Sequence, residues 1–129
     1  MDNIYLSSMN HHTTAFGQYI TEMRSLRKIA CRQLAQTIGI STGYLSQLEH
    51  GIRFNPDPRL LLDIAKALSL SAQESQTLFD LYAEETGQLP PDITEYLLHH
   101  KNAQKAIRQA HDAGFSAEDW EHFIEQLKK

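Results

Sequence analysis

Between Gln33 and Gly51 the chain reads QLAQTIGISTGYLSQLEHG, and this stretch leaves little freedom in what can form around it. Leu34, Ala35 and Ile38 recur at three- and four-residue spacing, which predicts one buried face of a short helix over Arg32 to Ile38. Gly39 follows where a left-handed residue closes a helix. Ser41 or Thr42 then caps a second short helix to about Glu49, with Leu45 and Leu48 turned inward, and Gly51 ends it. Two such short helices can share a core by crossing steeply. The crossing needs a small residue where they touch, which Ala35 supplies, and Leu34, Ile38, Ile40, Leu45 and Leu48 fill the space between them.

The flanking pattern is helical throughout. Phe16, Tyr19, Ile20, Met23 and Leu26 give one apolar face to a helix that Thr13 or Thr14 can cap, with Gly17 as an interruption near its start. Beyond Gly51, Pro56 and Pro58 enforce a loop. A helix is then expected over Arg59 to Leu68, burying Leu61, Ile64, Ala65 and Leu68. Another follows from a Ser71 cap to about Glu85, with Leu78, Leu81 and Tyr82 as its stripe and Gly87 as its stop. Gln88-Leu89-Pro90-Pro91 is the best boundary in the sequence. Three short helices are expected after it: one with Ile93, Tyr96 and Leu97, one with Ala103, Ala106, Ile107 and Ala110, and one with Trp120, Phe123, Ile124 and Leu127. Ser116 and Asp119 have the spacing of a capping box before the last. No alternating apolar run is long enough for a strand. The fold class is therefore all-α, with residues 1–13 a flexible arm, 14–87 the principal domain and 88–129 a small helical extension.

The string Leu34-Ala35, Gly39-Ile40-Ser41, Tyr44-Leu45-Ser46, Leu48-Glu49 and Gly51, with Ile64-Ala65-Lys66-Ala67-Leu68 further on, resembles the lambda-repressor-like, Cro-type (xenobiotic-response-element-like) helix-turn-helix family over roughly residues 16–81. The resemblance implies a five-helix bundle that binds double-stranded DNA at pseudo-palindromic operators as a homodimer. It makes the helix over 42–49 the recognition helix, with Ser41, Thr42, Gly43, Ser46 and Gln47 on its DNA side. Gln47 is the foremost base reader, because an amide pairs with adenine N6 and N7 together. Gly43 stands where many relatives place a reading residue, and without a side chain it lets the helix approach closely. Tyr44 bonds a phosphate or packs its ring inward; His50 bonds a phosphate or is an ordinary surface residue. Arg32 and Gln33 lie where helix N-terminal amides meet the DNA backbone, and Arg53 and Asn55 are candidate phosphate clamps. Cys31 stands where relatives often carry a phosphate-binding polar residue. Arg24 and Glu49 match a pair that in the family joins the first helix to the end of the recognition helix, and are expected to form a structural ion pair.

Charge refines this reading. The net charge is −4, yet residues 1–60 carry six Lys/Arg against four acids, while residues 61–129 carry six against twelve. A weakly basic half joined to an acidic one makes DNA affinity a matter of placement. The single cysteine, Cys31, forms no intrachain disulfide, which suits a reducing bacterial cytoplasm. No apolar run spans a bilayer, and the start does not read as a signal peptide. No catalytic or nucleotide-binding motif is present, so no enzyme is expected. Adjacent His11 and His12 make a poor metal site, and His99, His100, His111 and His122 lack ligand spacing, so neither metal nor cofactor is expected.

The stripe of Trp120, Phe123, Ile124 and Leu127 packs on the bundle, forms a dimer interface or lines a small-ligand pocket. The leading expectation is a sequence-specific transcriptional regulator, a repressor or autoregulator, associated with the nucleoid when bound. The alternative is a protein-binding module, such as an antitoxin, whose acidic C-terminal half grips a partner protein.

Overall fold

The computed structural model describes residues 14–52 and 56–129; residues 1–13, Arg53 and Asn55 lie outside the described residues. Eight helices and no strand occur among them: α1 Ala15–Leu26, α2 Cys31–Ile38, α3 Thr42–Glu49, α4 Pro58–Ala67, α5 Ala72–Thr86, α6 Pro91–Leu98, α7 Lys101–Asp112 and α8 Ala117–Leu127. The chain is all-α, and it divides into two compact units, Met1–Thr94 and Glu95–Lys129, with the division inside α6.

Five of these eight helices start at a side chain that caps them. The Thr14 hydroxyl accepts from the Gly17 N–H at 3.0 Å and opens α1. Ser41 accepts from the Tyr44 N–H at 3.0 Å and opens α3. Asp57 accepts from the Arg59 N–H at 2.9 Å, with Pro58 in the first turn where its missing donor costs nothing. Ser71 and Glu74 close a capping box on α5, and Ser116 and Asp119 close one on α8. Gly39 ends α2 at φ 79°, and Gly87 ends α5 at φ 74°, both left-handed as a stop of this kind requires.

The core of the first unit joins Phe16, Ile20 and Met23 of α1, Leu34 and Ala35 of α2, Leu45 and Leu48 of α3, Leu61, Ile64, Ala65 and Leu68 from α4 and its cap, and Leu78, Phe79 and Tyr82 of α5. Phe16 meets Tyr82 edge to face, with ring centroids 5.8 Å apart. The Tyr82 hydroxyl donates to the Pro56 carbonyl at 3.0 Å, which ties α5 to the chain entering α4. α1 packs on α3 and α5, α2 on α3 and α4, and α4 on α5.

Two apolar stripes differ from the spacing read in the sequence. Leu26 is 71% exposed. The buried face of α1 is centred on Phe16, Ile20 and Met23, and Leu26 lies well round the cylinder from it, in the last turn, outside the core that the described residues form. On α5, Phe79 takes the buried place beside Leu78 and Tyr82, and Leu81 is only half-buried, because α1 lies across the 78–79–82 side.

In the second unit, α7 and α8 are joined through Gly114 at φ 72°. Ala110 is its one buried hydrophobic residue. Phe115, Trp120 and Phe123 form an edge-to-face chain, with centroids 5.1 Å and 5.9 Å apart.

Candidate nucleic-acid interface

Helix α3 has one face committed to the core and an opposite arc that contributes no residue to it. Leu45 and Leu48 are fully buried. At 3.6 residues per turn, Thr42, Ser46, Gly43 and Gln47 fall on the opposite arc, roughly 140° wide. Thr42 and Gly43 are exposed, and Ser46 and Gln47 half-buried. Tyr44 lies off that arc, and its half-buried ring packs against the core.

Three contacts fix how α3 is presented. Gly17 lets α1 cross beneath its C-terminal end: a Cβ there would lie 2.6 Å from the Leu48 carbonyl oxygen and 2.7 Å from that of Glu49. The interruption in the α1 pattern is thus a close approach between two backbones. Arg24 then grips Glu49 with a bidentate pair, Nε to Oε2 at 2.9 Å and Nη2 to Oε1 at 2.9 Å, while its Nη1 donates to the Ile29 carbonyl at 3.0 Å. The hydrogen bond to Glu49 pushes the Arg24 guanidinium further above its ordinary range, against the effect of burial. At the far end, the Ser41 hydroxyl caps the first turn by accepting from the Tyr44 N–H.

His50 caps the end of α3, with its Nδ1 2.7 Å from the Ser46 carbonyl oxygen. A carbonyl only accepts, so Nδ1 carries a proton, and the exposed imidazole is held by its own helix. At the start of α2, Ala30 offers no side-chain cap, and the Gln33 Oε1 accepts the Ala30 N–H at 2.8 Å. That bond orients the Gln33 carboxamide and leaves its NH2 as the donor end. Arg32 beside it is exposed. Cys31 is half-buried against the core, and its thiol is pushed up chiefly by desolvation and next by the Glu49 carboxylate, so it is a neutral packing group.

The first unit thus brings Arg32, Gln33, Ser41, Thr42, Gly43, Ser46, Gln47 and His50 onto α2, α3 and their caps. Trp120, Phe123, Ile124 and Leu127 belong to the second unit, where they are 38%, 48%, 41% and 70% exposed. Among the described residues no three His, Cys, Asp or Glu side chains gather as a metal site, and no helix is long and apolar enough to cross a membrane.

Two short helices pinned across a glycine turn, with the second held polar side out by a buried ion pair, define a helix-turn-helix domain. The chain belongs to the family described as "Helix-turn-helix domain", whose profile matches residues 17–84. An HTH-type transcriptional regulator of Mycobacterium tuberculosis is 44% identical over 57 residues, covering 44% of this chain and only 40% of that protein. The HTH-type transcriptional regulator RghRB of Bacillus subtilis is 27% identical over 117 residues, covering 86% of this chain and 81% of RghRB. Among solved structures, the complex of SinR protein with SinI protein aligns at 25% identity and a TM-score of 0.46, covering 88% of this chain and 94% of that one.

Proposed function

We propose that this protein is a sequence-specific DNA-binding transcriptional regulator that reads a pseudo-palindromic operator as a homodimer and represses transcription, its own included, in a bacterial cytoplasm. The observation that carries the reading is the outer arc of α3. Thr42, Ser46 and Gln47 present hydroxyl and amide groups there, on a helix whose other side is sealed by Leu45, Leu48 and the Arg24–Glu49 pair. A helix so held enters a major groove with its first turns toward base edges. Gln47 and Thr42 read bases. Arg32, the Gln33 carboxamide, Ser41 and His50 meet phosphates, with Arg53 and Asn55 as further clamps beyond the described residues. Residues 14–87 do the binding, and residues 88–129 supply the second copy through Trp120, Phe123, Ile124 and Leu127.

Fluorescence anisotropy with the duplex upstream of its own coding sequence tests this. Specific binding that weakens as salt rises is expected, with a log–log slope of about −0.9 for each phosphate neutralised. Folded protein that prefers no sequence at low salt overturns it. A second reading, capture of a basic partner protein by the C-terminal half, draws on Glu118, Asp119, Glu121 and Glu125 around the exposed apolar stripe. Light scattering on the protein alone separates the two: a homodimer favours the first, a monomer the second.

A further inference from the structure

Five of the six glycines in the chain have a cause inside the molecule. Four sit at positive φ, between 72° and 79°, where a side chain is strained. The fifth, Gly17, is pressed against the carbonyl oxygens of α3. Gly43 has neither cause. Its φ is not positive, and a Cβ built on it meets nothing within 4 Å. A glycine inside a helix weakens that helix relative to alanine. No packing contact among the described residues repays that cost, and the position is exposed, on the arc that carries Thr42, Ser46 and Gln47.

We infer that Gly43 is a specificity-determining residue whose missing side chain makes room for the 5-methyl group of a thymine in the major groove. This rests on the DNA-reading function proposed above. A residue without a side chain offers no donor or acceptor to a base. Guanine, adenine and cytosine present O6, N7, N6 or N4 at the major-groove edge, and closing an apolar surface over these leaves them dehydrated and unpaired. Thymine carries an O4 acceptor as well, but beside it stands a 5-methyl group, which needs only space and an apolar wall. The open Cα of Gly43 supplies both, and a Cβ would occupy the volume the methyl takes.

The test begins with selection of bound duplexes from a random pool by the full-length protein. Each thymine of the selected half-site is then replaced singly by uracil, which deletes the methyl and nothing else. Wild-type affinity is expected to fall about fourfold at one thymine per half-site, the worth of one buried methyl group. Gly43→Ala is expected to bind the thymine duplex about tenfold more weakly, as an overfilled contact does. It recovers affinity on the duplex carrying uracil at that one position, and it melts at or above the wild-type temperature. A half-site without thymine, a uracil penalty equal in the two proteins, or an alanine variant that melts lower each overturns the assignment. Selection of no sequence by the wild type instead sinks the DNA-reading function, and this assignment with it.

Discussion

Glu49 and Gln47 stand two residues apart on one helix and do opposite work. The Glu49 side chain is 4% exposed and gives both oxygens to Arg24, whose side chain is 16% exposed. Removing one partner strands the other in a poorly solvated place. Arg24→Ala is expected to cost about 2–3 kcal/mol, the low side of a buried pair because Arg24 reaches some water. Chemical denaturation reads this, and the selected DNA sequence should stay the same. Gln47→Ala should do the reverse: melting unchanged, and specific binding weaker by about 1–3 kcal/mol. Equal loss on random duplex would remove Gln47 as a base reader. Both residues were legible as candidates from their positions in the motif. The second hydrogen bond of the pair, and the tie from Arg24 to Ile29, were not, because neither is encoded in spacing.

At the level of elements, the helix ends were the most legible part. Ser41, Ser71 and Ser116 cap, and Gly39 and Gly87 stop, through contacts within a few residues of sequence. Gly17 reads in the sequence only as an interruption for the converse reason, since its cause lies on α3. Gly17→Ala should cost about 1–3 kcal/mol, because two backbone carbonyls must move to admit a Cβ. A stable variant with unchanged DNA binding would show that α1 and α3 are not in this contact. Glu74 couples two elements. Its Oε1 accepts from the Ser71 N–H at 2.9 Å and from Arg27 Nη2 at 2.8 Å, so it holds the start of α5 against the end of α1. The Ser71 backbone bond first, and Arg27 next, hold its carboxyl below the usual carboxylate range. A pKa lowered by folding stabilises above the unfolded value, near pH 4. That contribution fades as pH falls through the folded value. The melting temperature should therefore drop on acidification below about pH 5, and Glu74→Gln should flatten that drop. Parallel acid profiles would discount the contact.

On the scale of the whole molecule, the two units differ in how well each covers its own apolar surface. The first closes a core from five helices. The second leaves Ile107, Phe115, Trp120, Phe123, Ile124 and Leu127 exposed and buries Ala110 alone among its hydrophobic residues. A unit of this size is too small to stabilise itself by burial, which is the physical reason to expect a second copy there. For the homodimer proposed above, Ile124→Glu should give a monomer by sedimentation. It should weaken operator binding and leave the melting of the first unit in place. Dimers that survive that charge would move the interface elsewhere.

The sequence by itself determined the all-helical class, the order and punctuation of the helices, and the polar arc of α3. These follow from periodicity and from hydrogen bonds that close within one turn. Only the tertiary structure decided that Phe79 rather than Leu81 is buried, that Leu26 stays outside, that Gly17 is a contact between helices and that Gly43 is not. Each depends on which neighbour lies across a face, and that neighbour is distant in sequence. The same distinction sharpens the recognition helix. Its scaffold is written locally, but the exposure of Thr42 and Gly43 on its outer face is visible only once everything packed behind it is in place.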